Sequence, residues 1–239
     1  MAEYKVAEIF TSINGEGMCA GELAVFVRFC GCNLRCNYCD TMWANEPECI
    51  YERMTDDEIL DRIIKEDVTN ITLTGGEPLL QPDIDVLIKK LVEYQDGLLR
   101  IEIETNGSAD IGSFIWKEEC TNEEHQELIK SFVIRPVFTM DYKLMGSGME
   151  SQMNTDNFVY LCDKDTVKFV VSDEEDLERA YEISEKYNLN GKCNVILSPV
   201  FGRIEPEKIV DFMKLKKWNE ARMQLQIHKI IWDPDKKGV

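Results

Sequence analysis

Three cysteines, at positions 32, 36 and 39, stand in the stretch "GCNLRCNYCDTMW" (31–43), a C-x3-C-x2-C arrangement followed at once by Asp40 and Thr41. Thiolates packed this closely hold metal. A structural zinc site needs four ligands, usually as two separated pairs, and this loop offers three at unequal gaps. Cys30 is near in sequence, but it ends an apolar run and cannot easily share the loop's geometry. Iron-sulfur clusters are the other usual destination of clustered thiolates. A [4Fe-4S] cluster held by Cys32, Cys36 and Cys39 leaves one iron open to an outside ligand.

Two further stretches carry residues suited to a ligand. In "LTGGEPLL" (73–80) adjacent glycines let the backbone approach a bound group and adopt positive φ, as a strand end facing a cofactor requires. In "IEIETNGS" (101–108) Glu104, Thr105 and Asn106 fall at the end of another β-rich run.

The elements that must position these residues are legible as apolar, β-rich runs at 23–29, 70–75, 98–105, 132–138, 166–171, 194–200 and 223–228. Near-continuous hydrophobicity is expected of strands covered on both faces. Between them lie helical patterns. Thr55 and Glu58 fit a capping box ahead of the stripe Ile59, Leu60, Ile63 and Ile64. Pro82 precedes Ile84, Leu87, Ile88 and Leu91 at helical spacing. Ser172 opens a third helix with an acidic first turn, and residues 205–218 form a fourth. Strand and helix in alternation imply a parallel sheet with helical crossovers, an α/β fold read as a partial, incomplete β/α TIM-like barrel of about six parallel strands. A doubly wound sheet competes. Either architecture gathers ligands at the carboxyl ends of its strands, which is where the three stretches sit. Residues 1–239 are read as a single domain, with 111–131 as an insertion carrying its own polar helix.

Charge narrows the partners. With 27 Lys and Arg against 45 Asp and Glu, a net charge of -18 repels phosphate backbones and anionic membranes, so nucleic acid and membrane are not expected. No apolar run approaches the roughly 20 residues a bilayer demands, and the first residues lack a basic-then-apolar leader. The expectation is a cytoplasmic protein. Nine cysteines, an odd number in a long chain, argue against a disulfide framework and for metal or redox chemistry at the clustered ones. With only His125 and His228, a multi-histidine metal site is excluded. His228 is open between a structural and a substrate-facing role.

C-x3-C-x2-C after a first strand resembles the signature of radical S-adenosylmethionine enzymes, and "LTGGEPLL" resembles that family's GGEP motif. The resemblance implies a [4Fe-4S] cluster whose open iron chelates S-adenosylmethionine, with Tyr38, Cys39, Asp40, Gly76, Glu77 and Glu104 around the cofactor. Asp141, Tyr142 and Lys143 occupy the place of a family S-P-K turn, with only the lysine kept, and Ser198 lies near the next strand end.

Within that superfamily, "IFTSINGEGMCAGELAVFVRFCGC" (9–32) resembles the N-terminus of 7-carboxy-7-deazaguanine synthases. That likeness implies a substrate turn at Ile13, Asn14, Gly15 and Glu16, joined by Arg28 and Thr74. Asn14 stands where the family usually has glutamine. Arg28 is suited to a pterin carboxylate and Glu16 to an aminopyrimidinone edge. Thr41 matches a hydroxyl ligand to Mg2+, with helix capping as its plain alternative. The implied substrate is 6-carboxy-5,6,7,8-tetrahydropterin, the implied reductant a flavodoxin- or ferredoxin-type carrier, and the implied assembly a homodimer. No residue is expected to act as a catalyst in place of the cofactor's radical. A glycyl-radical-enzyme activating enzyme shares the cysteine loop but needs neither the N-terminal turn nor Arg28 and Thr41. A zinc-binding interaction module is the reading from a different class.

Overall fold

A computed structural model of the protein describes residues 2–94, 100–117, 133–234 and 236–239. Its strands are β1 (Glu3–Ile13), β2 (Leu23–Phe29), β3 (Glu52–Thr55), β4 (Asn70–Gly75), β5 (Arg100–Thr105), β6 (Trp116–Lys117), β7 (Val133–Ile134), β8 (Val137–Tyr142), β9 (Thr166–Val171), β10 (Asn194–Pro199) and β11 (Ala221–Met223). All but β6 and β7 form the main sheet, in the order β11-β10-β9-β8-β5-β4-β2-β1-β3. From β2 to β11 every pairing is parallel; β1 runs antiparallel to both β2 and β3. The sheet does not close, because β3 and β11 are its two edges. This is the incomplete barrel of the sequence reading, with seven parallel strands and an antiparallel wing that the reading lacked.

Helices cover the outer face. In α1 (Asp56–Lys65) the Thr55 side chain accepts from Glu58 N–H while Glu58 reaches back to Thr55, closing the expected capping box. In α2 (Ile84–Glu93) Ile84, Leu87, Ile88 and Leu91 are all buried. Each such side chain contributes about 1.5–3 kcal/mol relative to exposure. Helices α3 (Glu174–Tyr187) and α4 (Pro206–Lys216) pack on β9, β10 and β11. Asp173, one residue after the expected Ser172, accepts from Asp176 N–H as the cap of α3.

The inner face is a different surface. Side chains alternate along a strand, so residues two apart share a face. Arg28 pairs with Thr74, Glu104 with Thr139, and Asp141 with Lys168 across neighbouring strands, while Leu73, Met140 and Phe169 belong to the apolar core. A polar layer therefore crosses the sheet near its carboxyl end.

Three expectations for the elements changed. The run at 132–138 divides into β7 (Val133–Ile134) and the start of β8, because Arg135 and Pro136 interrupt it. The run at 223–228 ends as a strand at Met223 and continues into the short helix α5 (His228–Ile231). Of the 111–131 insertion, Trp116–Lys117 forms β6, pairing antiparallel with β7 outside the main sheet. The polar helix expected there lies outside the described residues. Cys30 and Cys49 are joined as a disulfide, contrary to the reading of the cysteine count; the cluster loop folds back on the end of β2 and brings them together. Among the described residues, no helix is long and apolar enough to cross a membrane.

Candidate active site

A cavity of about 480 Å³ opens at the carboxyl ends of the strands. That volume suits one or two small organic ligands. Cys32, Cys36 and Cys39 all reach its wall, and each is partly exposed. Among the described residues, no three Cys, His, Asp or Glu side chains converge on a single ion. Three thiols lining one hollow suit a cluster with an iron left open to a ligand. The loop that carries them is pinned from several sides. Arg35 donates to the carbonyls of Cys32 and Leu34, both at 2.7 Å, and Asn37 N–H to that of Ser147 at 3.0 Å. Asn106 Nδ2 and Leu34 N–H both approach Cys32 Sγ at 3.4 Å.

The glycine motif closes the opposite side. A Cβ on Gly76 would lie 1.9 Å from the Gly31 carbonyl oxygen, so only glycine lets β4 end against the cluster loop. Gly75 at φ +128° turns the chain into this approach. Glu77 does not line the cavity as expected. It is fully buried and accepts from Leu79 N–H at 3.1 Å, Thr105 Oγ1 at 2.9 Å and Asn106 N–H at 2.6 Å. Glu77 ties the end of β4 to that of β5, and burial pushes its pKa up to about 7 despite these donors.

Of the residues expected to meet the substrate, Ile13, Gly15, Glu16, Arg28 and Thr74 line the same cavity. Arg28 donates through Nε to Glu8 at 2.8 Å and lies over the Phe10 ring at 5.7 Å, which presents the guanidinium to the hollow. Thr74 donates to Glu104 at 2.7 Å. Desolvation raises the Glu104 pKa against the pull of Lys168. Thr41 lies on the wall with Oγ1 3.7 Å from Cys39 Sγ. It precedes a 3₁₀ turn, Met42–Ala44, yet its side chain makes no capping hydrogen bond, so the plain alternative fails. Tyr38, Asp40, Asp141 and Lys143 also reach the cavity. Asp40 pairs with Lys229 at 3.0 Å, and Asp141 with Lys143 at 2.8 Å.

Three more assigned residues sit elsewhere. Tyr142 alternates with Asp141 and Lys143, so it faces the core and packs on Phe158 and Phe169. Asn14 is buried beneath the turn, accepting from Thr72 Oγ1 at 2.9 Å. Ser198 is fully buried and donates to Glu16.

Lys168 was not singled out from sequence. Its Nζ lies 3.0 Å from both Glu16 Oε2 and Asp141 Oδ1. Burial opposes its charge, but Asp141, Glu16 and Glu104 more than offset it and hold its pKa well above the lysine value. Burial likewise raises Asp141, and Lys143 and Lys168 reverse the shift. A lone lysine in "TVKFVV" was the available signal, since a cation in an apolar strand demands partners. His228 lines the cavity with its ring on Gly15, where a Cβ would meet Nδ1 at 2.1 Å. Burial lowers its pKa and favours the neutral ring. Gln226 donates to Glu16 at 3.2 Å, and the tail residues Lys236 and Lys237 reach the same wall.

The donor set fits the implied groups: three thiols, a glycine cradle and an uncapped hydroxyl beside them. Residues 26–131 match the model of the radical SAM superfamily. A 7-carboxy-7-deazaguanine synthase of Leptospira interrogans is 36% identical over 98% of this chain and 97% of its own. The crystal structure of QueE from Escherichia coli superposes with a TM-score of 0.63 over 93% of both chains; at 17% identity it supports the fold. A 7-carboxy-7-deazaguanine synthase of Clostridium acetobutylicum is 53% identical over 99% of both chains. Identity sustained from end to end at that level means that the chain belongs to the 7-carboxy-7-deazaguanine synthase family, within the radical SAM superfamily.

Proposed function

We propose that the protein is a radical S-adenosylmethionine lyase that converts 6-carboxy-5,6,7,8-tetrahydropterin to 7-carboxy-7-deazaguanine with loss of ammonia, on the way to 7-deazapurines such as queuosine. The observation that carries this reading is one cavity that holds Arg28 and Glu16 together with all three loop thiols. Cys32, Cys36 and Cys39 would hold the [4Fe-4S] cluster, and Gly76 with Tyr38, Asp40 and Lys143 would hold S-adenosylmethionine. Bound there, the two supply the one-electron chemistry that removes and returns a substrate hydrogen. Thr41 would hold Mg2+, which acts as a Lewis acid on substrate oxygens.

The remaining work falls to side chains. Arg28 takes the substrate carboxylate, with Glu8 fixing its orientation. Glu16, held by Lys168, Gln226 and Ser198, accepts from the aminopyrimidinone edge. His228 covers the turn at Gly15 and helps exclude water. A flavodoxin- or ferredoxin-type carrier supplies the electron, and the working form is a cytoplasmic homodimer, both on family likeness.

The test is product formation. Anaerobically reconstituted protein with S-adenosylmethionine, Mg2+, a reductant and the carboxytetrahydropterin should yield the deazaguanine. Absence of product from cluster-replete protein sinks the reading. The activating-enzyme alternative would survive only if Arg28→Ala and Thr41→Ala left activity intact while a protein substrate acquired a radical.

A further inference from the structure

Asn106 is the first residue past β5, 7% exposed, and it borders the cavity beside the cluster loop. Its backbone N–H donates to Glu77 at 2.6 Å, which ties it to the glycine motif. Its side-chain amide is held at both ends. Oδ1 accepts from Ser108 N–H at 2.9 Å and from Ser108 Oγ at 2.6 Å. A backbone N–H can only donate, so the oxygen faces Ser108 and the nitrogen faces the cluster loop. The two hydrogens of Nδ2 go to Asn33 Oδ1 at 3.0 Å and to Cys32 Sγ at 3.4 Å.

Cys32 thereby carries two N–H donors, since Leu34 N–H also lies 3.4 Å from its sulfur. Cys39 meets more distant groups, Thr41 Oγ1 at 3.7 Å and Asn45 Nδ2 at 3.8 Å. The Leu34 donor comes with the turn of the loop itself, whereas the Asn106 donor arrives from another strand end, 74 residues along the chain. A cluster held by these thiolates gains one negative charge when it is reduced. A neutral N–H aimed at a thiolate stabilises that state more than the oxidised one, and hydrogen bonds to sulfur are among the factors that set cluster potentials.

We propose that Asn106 is a positioning residue acting through Cys32: its Nδ2–H holds the thiolate and raises the potential at which the cluster takes its electron. The one-electron carrier that supplies it is then asked for less driving force. This rests on the cluster assignment within the functional reading and not on the pterin product.

The midpoint potential is titrated on reconstituted protein without S-adenosylmethionine or pterin, by the electron paramagnetic resonance signal of the reduced cluster. Asn106→Leu removes the donor at similar size and adds no charge. It should move the potential more negative by about 59 mV, a tenfold change in equilibrium constant for one electron. Ser108→Ala removes the outer hydroxyl, keeps the Ser108 N–H on Oδ1, and should titrate with wild type. A leucine variant at the wild-type potential overturns the proposal. A less negative potential also overturns it, because a loosened loop that admits water stabilises the reduced cluster by exposure. A Ser108→Ala shift as large as that of the leucine variant assigns the effect to the network and overturns it as well. If the leucine variant loads too little cluster to titrate, the shorter Asn106→Val replaces it with the same expectation. Failure of both to load cluster makes Asn106 an assembly residue and ends the tuning role. Wild-type protein that takes up no [4Fe-4S] cluster sinks the functional reading itself. Wild-type protein that loads its cluster and makes no deazaguanine sinks only the proposed reaction and leaves these potentials standing.

Discussion

The Nζ of Lys168 stands 3.0 Å from Oε2 of Glu16, a contact between the middle of β9 and a turn 152 residues earlier in the chain. Both groups are at least nine-tenths buried, and Asp141 shares the same ammonium. Replacing Lys168 by Met leaves buried Glu16 without its cation, holding only the neutral donors Gln226 and Ser198, while Asp141 keeps Lys143. The expected loss is about 3–5 kcal/mol, read by urea denaturation of the cluster-free protein. Adding Glu16→Gln to Lys168→Met should recover part of that loss, and strictly additive losses would show that the pair is not coupled.

Arg28 is the next test. In Arg28→Gln the pterin KM should rise by about 10- to 100-fold, the equivalent of a charge-assisted hydrogen bond of about 1.5–3 kcal/mol, with iron content unchanged. A KM that stays at the wild-type value removes Arg28 from the substrate site.

Thr41→Ala should raise the Mg2+ concentration for half-maximal activity about tenfold, equivalent to about 1.4 kcal/mol, and Thr41→Ser should restore it. Cluster absorbance should be the same in all three proteins. Equal Mg2+ dependence in the alanine variant would return Thr41 to a packing role.

Glu77 gives a prediction in pH. Its pKa rises from 4.5 unfolded to about 7 in the fold, because burial outweighs three donors. Stability carried by the protonated form is thus complete below pH 4.5 and is lost as pH rises through 7, by on the order of 3 kcal/mol. Glu77→Gln removes this slope. Wild type should therefore lose stability relative to the variant between those two pH values, by chemical denaturation at a series of pH values. A constant difference would show that Glu77 does not titrate there.

Much of this site was legible because its chemistry is local in sequence. Cys32, Cys36 and Cys39, and the glycines at 75 and 76, each sit in one short run whose spacing has few other uses. The strands at 23–29, 70–75 and 166–171 were readable in full because burial on the outer face demands apolar residues. What stayed hidden depends on pairing between distant strands. Tyr142 was assigned with its neighbours, although a period of two sends it to the core. Lys168 gains its role only from what the fold brings opposite it. β1 was missed because its half-polar sequence reads as neither strand nor helix until β2 and β3 flank it.

The open seam of the sheet is stitched by side chains. Gln224 places its amide against the Gly17 backbone like a strand residue, accepting from Gly17 N–H at 2.8 Å and donating to its carbonyl at 3.0 Å. Gln226 reaches Glu16, and Ile227 N–H donates to the Gly15 carbonyl at 3.0 Å. These stitches join parts of the chain more than 200 residues apart. The turn at residues 15–17 gains these partners only when residues 224–227 are placed against it. Closing contacts over that separation is entropically costly, so this wall of the cavity depends on both ends of the chain being in place at once.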